Sequence, residues 1–269
     1  MSWTILGSEG TIGRRLVVHL RSQGKSVFTP GRDDEVLYKR HLGHVVYAIG
    51  LTADFRQRPF DTVQAHVSKV ADLLQKADFE SFLYLSSTRV YARSISGRED
   101  SPVSVVAQDP SDLYSLSKLC GESLCLQDTR KTIRVVRLSN VVGGDEINSV
   151  NFLPSLVREA INGRIVLKTA LNSAKDYIHI DDLVELLPLI VCSGRERLYN
   201  VASGSNITHA QWINQISSRI NCVLEVVPGS ATVSFPPIDI SRIHSEFSFQ
   251  SRPILEIINR LLTSSQGTS

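Results

Sequence analysis

Residues 3–20 read WTILGSEGTIGRRLVVHL. Trp3 to Leu6 form a short apolar run that stops at a glycine, which predicts a strand. Ile12, Leu16, Val17 and Leu20 then fall on one helical stripe, and Gly24 stands where a helix-ending glycine belongs. Between strand and helix, Gly7, Gly10 and Gly13 make G-x-x-G-x-x-G. Glycines at this spacing allow a tight turn and let backbone N–H groups at a helix N-terminus approach a pyrophosphate. An ordinary glycine turn could use the same residues, but the strand before it and the helix after it favour a dinucleotide.

Working outward, the alternation continues. Strands are expected at Ser26–Thr29, His44–Ile49, Phe82–Leu85 and Ile133–Leu138. Helices are expected along Val63, Val67, Val70 and Leu74 and over Tyr114–Leu126. This is the pattern of a Rossmann-type, doubly wound parallel sheet in the α/β class. After Asn140 the rhythm loosens. A helix is expected at Ser155–Ile161, strands near Ile165–Leu167 and Tyr177–Ile180, and a helix from Asp182. Thr208 and Gln211 form a T-x-x-Q capping box, and Pro236 and Pro237 precede a last pair of helical segments. Residues 1–140 thus read as a dinucleotide-binding domain whose core continues near 175–205. Residues 141–269 read mainly as a small α/β substrate-binding region.

Composition narrows the function. The 269 residues are 42% hydrophobic and 21% charged, as in a globular domain. With 29 basic and 27 acidic residues the net charge is +2, and no run of like charge is long enough to track a nucleic acid backbone. No nucleic acid partner is expected. The four cysteines include no C-x-x-C pair and read as reduced thiols. No export signal and no apolar run of membrane-spanning length is visible, so a cytoplasmic protein without a membrane partner is expected. His41 and His44 stand three apart without a paired ligand pattern, and no metal site is expected.

The end of the second strand bears on the cofactor. It runs VFTPGRDD over residues 27–34, placing Arg32 ahead of Asp33 and Asp34. A cation there suits the 2′-phosphate of NADP, whereas an acid would accept from the ribose hydroxyls of NAD. NADP(H) is expected ahead of NAD(H), with a solvated Arg32 and Asp33 serving NAD as the other reading. Tyr114 and Lys118 form Y-x-x-x-K, four apart and hence on one helix face. A tyrosine titrates near 10, and an adjacent ammonium helps it exchange a proton near neutrality. Ser86 and Ser87 end the strand FLYL, at the edge of the sheet where ligands bind in open α/β folds. Spacing alone would also fit a capping serine.

Taken in order, GSEGTIG, LSSTRVYA, YSLSK, RLSNVVG and KDYIHIDDL resemble the extended short-chain dehydrogenase/reductase superfamily, in its NAD(P)-dependent epimerase/dehydratase branch acting on nucleotide sugars. The resemblance implies catalytic roles for Ser87, Tyr114 and Lys118. It implies a cofactor lying against Gly7, Gly10, Thr11, Ile12, Gly13, Arg32, Ala48, Ile49, Gly50 and Leu138, as well as Tyr114 and Lys118. It implies a substrate meeting Thr52, Ser87, Thr88, Asn140 and Lys175, the last where an arginine is usual. A homodimer through the helices after Pro59 and around Tyr114 is implied by the same analogy.

The departures are informative. Sugar 4,6-dehydratases of this type carry Asp-Glu after the catalytic Ser/Thr, and here Thr88 and Arg89 stand there, which disfavours water elimination. His66 occupies a position where a helix asparagine is usual, bordering the cofactor or packing the helix. His179 is expected to seat the second region. The reading that results is an NADPH-dependent reductase of a nucleotide-linked 4-keto-sugar. The alternatives are an NAD-dependent 4-epimerase and a non-catalytic cofactor-binding regulator. Only Pro30 to Gly43 separate the second strand from the third, an economy that resembles the reductases.

Overall fold

The computed structural model describes residues 1–31, 33–52, 54–144, 149 and 151–266. Strands β1 (Ser2–Leu6), β2 (Ser26–Phe28), β3 (His44–Tyr47), β4 (Ser81–Ser87) and β5 (Ile133–Leu138) alternate with helices. These are α1 (Thr11–Ser22), α2 (Pro59–Val63), α3 (Lys69–Lys76) and α4 (Leu113–Gln127). Beyond them come β6 (Asn140–Val142), α5 (Phe152–Ile161), β7 (Arg164–Leu167), β8 (Ala174–His179), α6 (Ile180–Ser193) and β9 (Leu198–Val201). The chain continues through β10 (Asn206–Thr208), α7 (His209–Ser217), β11 (Val223–Val226), α8 (Ser241–Phe247) and α9 (Ile257–Gln266).

The central sheet is parallel throughout, in the order β2-β1-β3-β4-β5-β9. Strand alternation sends Ile5, Val46, Leu83, Leu85 and Val136 to one face, against Leu16 and Leu20 of α1 and Leu183, Leu187 and Ile190 of α6. Leu6, Val45, Tyr47, Tyr84 and Val135 face the other side, against Val70 and Leu73 of α3 and Cys125 of α4. Both faces are covered, so these strands are apolar at nearly every position. The Pro30–Gly43 connection holds one short turn, Glu35–Tyr38, capped by Asp34, whose carboxylate accepts from the Val36 amide at 3.0 Å. A further strand has no room there.

A second layer grows from the C-terminal ends of the sheet. It holds a three-stranded sheet, β10-β8-β6, and a parallel pair, β11-β7. Leu156, Val157, Ile165, Trp212, Ile216 and Ile258 form its core. The strand expected at Tyr177–Ile180 starts earlier and stops at His179, because His179 caps α6 by accepting from the Asp181 amide at 3.1 Å. The capping box of Thr208 and Gln211 opens α7.

One expectation needs correcting. Val63, Val67, Val70 and Leu74 do not make one continuous stripe, because Gln64–Ser68 is a π-helical turn between α2 and α3. The wider turn rotates the face it presents. Val63 is left 39% exposed while Thr62, Ala65 and His66 turn inward.

Candidate active site

Gly7 has a φ of +85°, and a Cβ on it would lie 2.8 Å from the Ala48 carbonyl. A Cβ on Gly13 would lie 2.2 Å from the Gly7 oxygen. The turn between β1 and α1 therefore packs directly on the chain leaving β3, and neither position admits a side chain. Helix α1 starts at Gly10 with no side-chain cap and no acid in its first turn. Its uncapped N-terminus, Gly10 to Gly13, walls a cavity of about 540 Å³, in the size range of ligand sites. A helix N-terminus left without cap or acid fits the phosphates of a dinucleotide. Gly7 lies beneath that wall. Ala48, Ile49, Gly50 and Leu138 continue it. Arg32 lies outside the described residues, and the neighbouring Asp33 has its carboxylate 3.7 Å from the Lys69 ammonium.

Three expected catalytic residues meet in the cavity. Tyr114 sits in the first turn of α4, Lys118 one turn later, and Ser87 at the end of β4. Ser87 acts as a capping serine and also faces the cavity. Its oxygen accepts from the Arg89 amide at 3.2 Å, capping the turn Thr88–Tyr91, and its side chain lines the cavity with Tyr114. Burial raises the Tyr114 pKa, while the Ser87 hydrogen bond and the charge of Arg89 pull the other way. Lys118 donates to the Leu85 carbonyl at 2.8 Å. Burial pushes its ammonium down to about 7, against the opposing pull of Glu122.

The π turn explains how His66 enters this site. A π turn widens the helix and leaves carbonyls without their usual intrahelical donors. The Tyr47 hydroxyl donates to Ala65 O at 2.5 Å and the Tyr84 hydroxyl to His66 O at 3.1 Å. Helix α4 crosses here at Gly121, where a Cβ would stand 2.5 Å from both His66 O and Tyr84 Oη. The His66 ring then fills the space behind Tyr114 and Lys118. Its Nε2 accepts from the Leu51 amide at 3.2 Å, and its Nδ1 lies 2.8 Å from Ser117 Oγ. Burial, with the Lys118 charge adding to it, lowers its pKa to about 2. The ring is thus neutral, with its proton on Nδ1. It stands edge-on to Tyr114 at 5.3 Å between ring centres.

Thr52, Thr88, Asn140 and Lys175 also line the cavity. Asn140 donates its side-chain N–H to the Asp176 carbonyl at 2.8 Å. Lys175 lies 5.7 Å over the Phe235 ring, with its pKa lowered by burial and then by Arg89. Arg89 lines the same cavity, its guanidinium carbon 5.8 Å from the Tyr114 ring centre. His179 stays outside the lining, and its Nε2 lies 3.3 Å from Arg260 of α9 within the second layer. No group of three or more histidine, cysteine or acidic residues placed to hold a metal ion occurs among the described residues. Nor, among them, is any helix long and apolar enough to cross a membrane.

A buried ionic cluster beneath Lys118 has no counterpart in the sequence expectations. Glu122, 2% exposed, accepts from Arg137 Nη2 at 2.6 Å and from Ser86 Oγ at 2.5 Å. Arg137 also donates to the Tyr91 hydroxyl at 2.8 Å, which in turn donates to Asn200 at 2.9 Å. The only signal in the sequence is that Glu122 follows Lys118 by one helical turn.

A family model described as the NAD dependent epimerase/dehydratase family matches residues 3–202. No curated protein matches the chain in sequence. Several solved structures are similar in fold. UDP-glucose 4-epimerase from Thermotoga maritima, solved with UDP-glucose, has a TM-score of 0.83 at 14% identity, covering 100% of this chain and 99% of that one. MoeE5, solved in complex with UDP-glucuronic acid and NAD, has a TM-score of 0.81 at 19% identity, covering 100% of both chains. RMD from Pseudomonas aeruginosa, solved with NADPH, has a TM-score of 0.78 at 20% identity, covering 98% of this chain and 99% of that one.

Proposed function

The chain belongs to the NAD-dependent epimerase/dehydratase family, and from that premise we propose that it reduces a nucleotide-linked 4-keto-sugar with NADPH. The observation that carries this reading is the meeting of Ser87, Tyr114 and Lys118 at the cavity walled by the N-terminus of α1. A bound nicotinamide supplies the hydride. Tyr114 gives its proton to the carbonyl oxygen, Ser87 holds that oxygen by a second hydrogen bond, and the Lys118 ammonium stabilises the phenolate left behind. His66 is neutral and adds no competing charge behind the pair. Lys175 and Asn140 are assigned to the diphosphate of the nucleotide sugar. Thr88 and Arg89, in place of an acid pair, leave no carboxylate beside Ser87 to remove water, which supports redox chemistry without elimination.

The preference for NADPH rests on Arg32. A 4-epimerase, which keeps NAD bound and returns the hydride to the same carbon, uses the same three residues. The solved relatives hold NAD in one case and NADPH in another, which keeps epimerisation as the second reading. Phe60, 87% exposed, and Val63, 39% exposed, are apolar side chains left outward on α2, and with the half-buried Leu116 of α4 they support a homodimer.

The test is consumption of NADPH and of NADH against a panel of nucleotide-linked 4-keto-sugars. Tyr114→Phe is expected to lower turnover by about 10²- to 10⁴-fold while nicotinamide binding, followed by fluorescence, survives. Undiminished turnover in that variant would overturn the assignment. Stoichiometric NAD retained through purification, with interconversion of two 4-epimers and no net cofactor consumption, would replace reduction by epimerisation.

A further inference from the structure

Among its described residues the cavity lining holds more cations than carboxylates. Among the described residues, Arg89, Lys118 and Lys175 line it and Asp176 is the only carboxylate. Asp176 is already engaged, accepting from the Ser203 amide at 2.9 Å and the Ser203 hydroxyl at 3.0 Å. Arg89 is the cation without an assigned task. Its guanidinium lies 5.3 Å from the Phe55 ring centre and 5.8 Å from that of Tyr114. The acids whose charge reaches it, Asp112 and Asp109, pair with Arg93, Asp112 at 2.7 Å. No ion pair reaches Arg89 among the described residues. Burial and the neighbouring Arg56 both disfavour its charge, and Arg89 in turn disfavours the charge on Lys175.

Arg89 and Lys175, in one cavity with no free acid among its described lining residues, are poised for an incoming anion. The diphosphate is assigned above to Lys175. In a pyranose it hangs from carbon 1, across the ring from carbon 4, and Tyr114 fixes where carbon 4 must be. Arg89 is beside Tyr114, so it faces the carbon 4 side of the ring. The substituent next to carbon 4 on that side is carbon 6, attached through carbon 5. A guanidinium is planar and matches a carboxylate with two parallel hydrogen bonds.

We propose that the sugar taken by this site carries a carboxylate at carbon 6, and that Arg89 is the specificity-determining residue that receives it. The substrate class is then a nucleotide-linked hexuronic acid. This rests on the nucleotide-sugar reading above in its 4-epimerase form. A carboxylate at carbon 6 is β to a ketone at carbon 4, so a free 4-keto-hexuronic acid loses carbon dioxide, whereas the 4-hydroxy sugar is stable.

The test is calorimetric binding to the intact protein with nicotinamide cofactor present. Each nucleotide is offered as a matched pair, UDP-glucuronic acid with UDP-glucose and the corresponding dTDP- and GDP-linked pairs, so that the base cancels in the ratio. The acid is expected to bind about 10-fold or more tightly than its neutral partner, the worth of one charge-assisted contact. Arg89→Met should bring the ratio to about one, and Arg89→Lys should keep part of it. Lys175→Met should weaken both members alike and leave the ratio standing. A wild-type ratio near one, or a ratio untouched in Arg89→Met, overturns the proposal while leaving the nucleotide-sugar reading intact. Binding of neither member of any pair overturns that reading instead. Should Arg89→Met fail to fold, the wild-type ratio and Arg89→Lys decide the matter.

Discussion

Two groups of charges lie close to Lys118, and they are built on opposite principles. Beneath it, Glu122 and Arg137 are almost wholly buried and saturated, each hydrogen bond answered by another through Ser86, Tyr91 and Asn200. Above it, Arg89 and Lys175 line a cavity and carry their charge without an acid partner among the described residues. The first group has every polar atom accounted for and nothing left to offer a ligand. The second has charge that no acid among the described residues answers, which leaves it open to a ligand. Burying ions is tolerable in the first case because the geometry is closed, and in the second because a bound anion completes it. The same difference separates structure from recognition within one site.

The comparison breaks most visibly at Glu122. Glu122→Ala leaves Arg137 buried without its counter-ion, at a cost of about 3–5 kcal/mol in unfolding free energy. Urea denaturation measures it. Pairing Glu122→Leu with Arg137→Met should recover most of that loss, since apolar replacement of a whole buried pair is close to neutral. If the single substitution costs less than about 1 kcal/mol, the cluster is not closed in the way its hydrogen bonds indicate.

A milder change probes how the lower group acts on the upper one. Glu122 opposes the desolvation that lowers Lys118 to about 7. The ammonium is the form that supports Tyr114, so kcat/KM is expected to fall as pH rises through about 7. Glu122→Gln keeps a hydrogen-bond acceptor but removes the charge, leaving desolvation less opposed. Its alkaline limb should move to lower pH. A limb unmoved, or moved upward, would mean that the lower group supports the fold without tuning the catalytic lysine.

What the sequence makes legible follows the same division. The glycine turn, the parallel strands and the triad of Ser87, Tyr114 and Lys118 are written as local spacing, because each depends on neighbours within a turn or a strand. The Arg137–Glu122 pair joins residues fifteen apart on different elements, and nothing in the spacing connects them. The π turn is hidden for a sharper reason. Val63, Val67 and Val70 keep helical spacing through it, and the extra residue per turn is stabilised by Tyr47 and Tyr84 from the sheet. Arg89 was visible as a departure from an acid pair, but its lack of a partner emerges only once Arg93 is seen to hold Asp109 and Asp112.

The smallest effect belongs to the upper group and has the opposite sign from the first. Burial depresses the folded-state pKa of Lys175 below its ordinary 10.5. Between the two values the unfolded chain binds the proton that the folded one refuses, so this residue makes stability fall as pH drops through that window. Lys175→Met removes the penalty and keeps an apolar stem against Phe235. Without ligand, the variant should be slightly more stable than wild type at neutral pH, by about 1–3 °C in melting temperature. The gain should vanish above about pH 10.5, where neither state is charged. A saturating nucleotide diphosphate should reverse the order, because it stabilises only the protein that keeps the cation. Calorimetric scans of both proteins, with and without UDP, read all three points. A variant that is less stable than wild type without ligand would mean that Lys175 has a partner in the fold and that the upper group is closed like the lower one.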